Sequence, residues 1–116
     1  MTHELSYVEF RQRLKEIIVS YLDSPEVSNA RWMSEIGRLA DTNYADNPTM
    51  QEAAERAAMF LSAIYQHYLS MYELLAGFTT PQTIEEKYKQ REQQSQCMRY
   101  TKSMFRKGLQ FGTMFS

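Results

Sequence analysis

Residues 50–76, MQEAAERAAMFLSAIYQHYLSMYELLA, constrain the fold more than any other stretch. They form one unbroken helical pattern with a start and a stop. Thr49 and Glu52 have the T-x-x-E spacing of a capping box, in which each side chain satisfies a backbone N–H of the first turn. Gly77 stands where a helix-ending left-handed residue is expected, and Phe78 follows as its hydrophobic closing contact. Between them Ala54, Ala57, Phe60, Leu61, Ile64, Tyr65, Tyr68, Leu69, Tyr72 and Leu75 recur at three- and four-residue steps. That arc covers about half the circumference, wider than the ~100° stripe of an ordinary surface helix. A helix so apolar needs other helices around it, so the chain is expected to be all-α: a small four-helix bundle, or a close variant, built around 50–76.

Three further helices fit this frame. The first is expected over about 7–23, with Ser6 and Glu9 as a capping box and Tyr7, Phe10, Leu14, Ile17, Ile18 and Tyr21 on one face. Pro25 stops it. The second is expected to start at once, with Ser24 as cap and Pro25 in the first turn, where a missing N–H costs nothing. Trp32, Met33, Ile36, Leu39 and Ala40 give it a narrow apolar stripe, and DTNYADNP reads as the loop that follows.

The fourth is expected to start at Thr80–Pro81, or at Thr83 with Glu86, and to end near Lys107, before Gly108. Its pattern is broken. Ile84 and Tyr88 share a face that Arg91 and Ser95 continue, whereas Cys97, Met98, Tyr100, Met104 and Phe105 lie on another arc. Either this helix bends near 93–97, or its second half docks elsewhere, with another subunit as a candidate. The run EEKYKQREQQSQ should project into solvent. The tail, with Leu109, Phe111, Met114 and Phe115, is apolar enough to dock. The 116 residues therefore read as one helical domain, with 97–116 a basic and apolar docking segment.

The net charge of −1 supplies no global attraction to nucleic acid or membrane, but it is unevenly spread. Residues 1–96 hold all fourteen acids against nine bases; residues 97–116 hold Arg99, Lys102, Arg106 and Lys107 and no acid. Such a segment suits an anionic partner or the protein's own acidic body. One cysteine, Cys97, permits no internal disulfide, and the first residues lack a basic stretch followed by an apolar run. No stretch approaches ~18 apolar residues. The expected location is the cytoplasm, without a membrane partner.

Catalytic patterns are sparse. Counted as a calcium loop from Asp41, the chain offers Asp41, Asn43, Thr49 and Glu52, but Ala45 gives no ligand at the fifth position, Asp46 replaces the required Gly, and Pro48 has no N–H. His3 and His67 form no H-E-x-x-H or E-x-x-H pattern. Cys97 lacks a histidine base in sequence, although basic neighbours should lower its pKa. The four glycines form no phosphate-cradling loop. The expectation is a non-enzymatic protein with no cofactor, metal or small-molecule substrate.

Most of the eight Tyr and eight Met are expected in the core, with Tyr65, Tyr68 and Tyr72 at helix spacing and their hydroxyls at the rim; the second reading is that some face a partner, because these types are enriched at interfaces and Met adapts to varied partners. The reading is a protein–protein interaction module: a self-assembling subunit, an adaptor or an inhibitor. The expected contact residues are Tyr100, Met104, Phe105, Phe111 and Phe115. The alternative is nucleic-acid binding through Arg99, Lys102, Arg106 and Lys107, three of which fall along one helical stripe.

Overall fold

A computed structural model describes residues 5–44, 46–76 and 80–111; the side chains of 42–44, 76 and 109–111 are not described. It contains four helices: α1 (Tyr7–Asp23), α2 (Ala30–Tyr44), α3 (Pro48–Ala76) and α4 (Ile84–Phe111). No strand occurs among the described residues. Helix α3 packs against all three others, and α1 also packs against α2 and α4. The all-α bundle around the 50–76 segment is therefore the observed fold.

Helix α1 begins and ends where the sequence places it. Ser6 Oγ accepts from the Glu9 N–H and the Glu9 carboxylate accepts from the Ser6 N–H, closing the capping box. Helix α2 starts five residues later than expected. Ser24 Oγ accepts from the Glu26 N–H, so Ser24 closes a turn instead of capping a helix, and Pro25 lies in that connection. At the far end α2 runs through Tyr44, which turns Asp41 and Asn43 into its last turn and removes the loop a calcium site would need.

Helix α3 starts two residues before the expected Met50. Asn47 Oδ1 accepts from the Met50 N–H and the Asn47 carbonyl from the Gln51 N–H, so Asn47 is the cap and Pro48 opens the first turn. Thr49 is thus already helical, and Glu52 pairs with Arg56 at 2.7 Å. The end signals at Gly77 and Phe78 lie outside the described residues. At the α4 start Thr83 Oγ1 accepts from the Glu86 N–H, as expected; the Glu86 carboxylate takes the Gln82 N–H. Helix α4 continues past Gly108 to Phe111.

The core is one cluster. Phe10, Leu14 and Ile18 of α1, Trp32 and Ile36 of α2, and Ala57, Leu61 and Ile64 of α3 are buried in it. Asn29 ties α2 to the centre by donating to the Leu61 carbonyl at 3.2 Å. Burial along α3 ends at Tyr68; in α4 it begins only at Cys97. The outer turns of α3 and the first half of α4 therefore form a two-helix arm, on which Ile84 and Tyr88 are exposed, as the run EEKYKQREQQSQ suggests. In the second half of α4 the apolar arc divides: Cys97, Met98 and Phe105 pack onto the core of the same chain, and Tyr100 and Met104 stay exposed.

Candidate interaction surface

The inner face of α4 uses part of the basic segment for docking. Lys102 is buried, 4% exposed. Its Nζ donates to the carbonyls of Ser24 at 2.7 Å and Glu26 at 2.6 Å, and lies 4.1 Å from the centre of the Tyr21 ring. Tyr21 Oη donates to the Val27 carbonyl at 2.7 Å. Two side chains from two helices thus hold the α1–α2 connection. Burial pushes the Lys102 ammonium down to about 8, against a smaller upward pull from Glu26. A neutral amine still has two hydrogens for the two carbonyls, so the clamp survives deprotonation. One turn on, Arg106 pairs with Asp23 at the end of α1.

The other inner residues behave as core. Phe105 is half-buried and meets Phe60 edge-on at 5.6 Å and His67 at 5.9 Å. Thr101 Oγ1 donates back to the Cys97 carbonyl at 2.9 Å, as a buried helical hydroxyl commonly does. Burial pushes the Cys97 thiol up, the opposite of the lowering expected from its basic sequence neighbours, and so disfavours the thiolate a nucleophile needs. A tyrosine row on α3 leads outward: Tyr65 to Tyr68 at 5.7 Å, then Tyr68 stacked on Tyr72 at 6.0 Å. Burial first, then Tyr65, Tyr72 and Cys97, push Tyr68 up to about 12.

The expected site residues therefore separate. Lys102 is internal and Arg106 is engaged by Asp23, while Arg99 and Lys107 are exposed, so the four bases do not present one surface. Among the expected protein-contact residues, Tyr100 (57%) and Met104 (36%) face outward and Phe105 turns in. The side chains of Phe111 and Phe115 lie outside the described residues.

What the sequence did not reveal is where Tyr100 sits. It lines a groove of about 460 Å³ between α3 and α4, with Met71, Leu75, Gln93, Gln96 and Cys97. Leu75, one of its lining residues, is 69% exposed, and its chain neighbour Leu74 is 87% exposed. The missed signal was the last α3 turn, which carries two leucines beyond the point where a helix as short as α1 can cover them. Among the described residues no three His, Cys, Asp or Glu side chains are grouped to hold a metal ion, and no described helix is long and apolar enough to cross a membrane. Comparison with protein-family models, curated proteins and solved structures gives no match for this chain.

Proposed function

We propose that this protein is a non-enzymatic interaction module that binds a partner protein through the groove between the outer parts of α3 and α4. The observation that carries the reading is that Leu75 and Tyr100, both largely exposed apolar side chains, line that groove. Scattered exposed leucines need no explanation, but Leu75 in a groove that Met71, Cys97 and Tyr100 also line matches the pockets that receive side chains of an amphipathic helix. Methionine and tyrosine suit such a surface because one repacks readily and the other offers both an apolar ring and a polar tip. Nucleic-acid binding is the weaker reading, since Lys102 and Arg106 are already engaged within the chain.

Photocrosslinking tests this directly. A benzophenone side chain at position 75, in the protein expressed in its own cell, should capture a protein; the same group at Val8, similarly exposed on α1, should not. Equal capture from both positions, or none from either, removes the reading.

A further inference from the structure

We infer that the turn joining α1 to α2 is a binding site for a primary amine, which the chain fills with its own Lys102, and that this recognition sets where the second half of α4 docks. The site is made of main-chain oxygens and one ring. The Ser24 and Glu26 carbonyls stand 2.7 and 2.6 Å from Lys102 Nζ, and the Tyr21 ring centre lies 4.1 Å from it. Two acceptors and an aromatic face match the three hydrogens of an ammonium.

The turn holds its shape through bonds of its own. The Ser24 N–H donates to the Tyr21 carbonyl at 3.1 Å, Ser24 Oγ accepts from the Glu26 N–H at 2.9 Å, and Tyr21 Oη donates to the Val27 carbonyl at 2.7 Å. All of these close within residues 21–27, so α4 meets a site that is already formed. Charge at its edge suits a positive guest. The Glu26 carboxylate, paired with Arg31 at 3.2 Å, pulls weakly on the ammonium, and Asp23 is taken by Arg106.

The apolar side chains of α4 give weaker instructions, because its arc divides between buried Met98 and exposed Tyr100 and Met104. Met98, Lys102 and Arg106 follow four-residue steps along one side of the helix. Slid by one turn in either direction, α4 would bring Met98 or Arg106 to the two carbonyls. A thioether has no hydrogen to donate, and a guanidinium is a broad planar fork in place of a compact charge. Fixing register is the best-attested use of a buried polar group. The competing account is that the apolar stem of Lys102 fills a slot and that any side chain of its length would dock α4 equally well.

Chemical rescue tests the inference on the full-length chain. Lys102→Ala removes the atoms from Cγ to Nζ, which n-propylamine restores. At pH 7, where the free amine is charged, n-propylammonium should raise the urea midpoint of Lys102→Ala saturably, as a ligand of the folded state does. It should leave the parent unchanged, because Lys102 already fills the site. Two controls at matched ionic strength separate the causes. n-Propanol fills the same space with one O–H, and tetramethylammonium carries charge without an N–H. Each should give less than about one-fifth of the rise. If Lys102→Ala is largely unfolded, the same ranking is read as recovered helical circular dichroism, since a ligand of the folded state drives folding.

Amide hydrogen exchange tests the docking. In Lys102→Met, amides of 97–107 should exchange ~10-fold or more faster than in the parent, while those of 10–18 stay as they were. An equal rise with n-propanol would make the site a cavity that any bulk fills, and an equal rise with tetramethylammonium would make it a charge effect. Either of these, or no rise with any of the three, overturns the amine site. Parental exchange across 97–107 in Lys102→Met overturns its part in docking α4.

Discussion

The two ends of α3 contain similar residues and do different work. Near Leu61 and Ile64 the helix is enclosed, and both side chains are 0% exposed. Three turns later Leu74 and Leu75 continue the same apolar composition and stand mostly in water. The difference lies in the neighbours. Helices α1 and α2 have 17 and 15 residues, α3 has 29, and a helix rises about 1.5 Å per residue, so the two short helices cannot cover the long one. Apolar periodicity marks a face that wants covering; whether the chain itself covers it depends on the length of its other helices.

The largest test of this contrast is a pair of truncations. Leu61→Ala should cost about 2–5 kcal/mol, because it leaves a cavity in a packed site. Leu75→Ala should shift stability by no more than ~0.5 kcal/mol, because its side chain is already hydrated. Urea denaturation of both variants reads the difference. Comparable losses would mean that the arm is as integral to the fold as the core.

The next effect concerns Lys102. Lys102→Met keeps the length but withdraws the donor from the Ser24 and Glu26 carbonyls, which should cost ~1–3 kcal/mol, reduced by the relief of a buried charge. Lys107→Met, exposed on the same helix, should be within ~0.5 kcal/mol of the parent. The clamp also has a pH signature. Folded Lys102 titrates at about 8, below the usual 10.5. Between these values the unfolded chain holds the proton that the folded chain has released, so stability should rise as pH climbs from 8 toward 10. Above 10 it should turn down. Tyr68, pushed up to about 12, and Tyr21, raised by burial, keep their protons when folded, whereas unfolded tyrosines release theirs near 10. Urea midpoints measured from pH 7.5 to 11 should show the rise in the parent and its loss in Lys102→Met.

Much of this architecture was legible because local signals and apolar period agree. Ser6, Glu9 and the Phe10–Leu14–Ile18 face gave α1 complete, and the broken period of α4 anticipated its solvated first half. Two kinds of feature were not legible. Competing caps were one: Asn47 and Thr49 both offer a side-chain oxygen, and the Thr49–Glu52 box outweighed the Pro48 signal that marks the earlier start the structure adopts. Asn47→Ala should accordingly cost about 1 kcal/mol and Thr49→Ala nearly nothing; the reverse order would restore the later helix start. Buried polar groups were the second kind. Lys102 is four residues from Met98 and three from Phe105, which places it on the core face, but its charge reads as surface until the carbonyls of a distant turn are known. The groove was hidden for the same reason, since Leu75 and Tyr100 meet only once α4 has folded back on α3.

The smallest expected effect has the opposite sign from the rest. Tyr21 and Tyr72 both bury a hydroxyl, one in the bundle and one at the base of the arm. Tyr21 Oη reaches the Val27 carbonyl, whereas Tyr72 Oη has no hydrogen-bond partner among the described residues. A buried hydroxyl without a partner loses its hydration and gains nothing in return. Tyr21→Phe should therefore destabilise by about 1 kcal/mol, and Tyr72→Phe should be neutral or stabilising by up to ~1 kcal/mol, with its ring still stacked on Tyr68. A clear loss of stability in Tyr72→Phe would show that the hydroxyl is satisfied in solution. The arm would then pack more tightly than its exposed leucines indicate, which would weaken the case for an open groove.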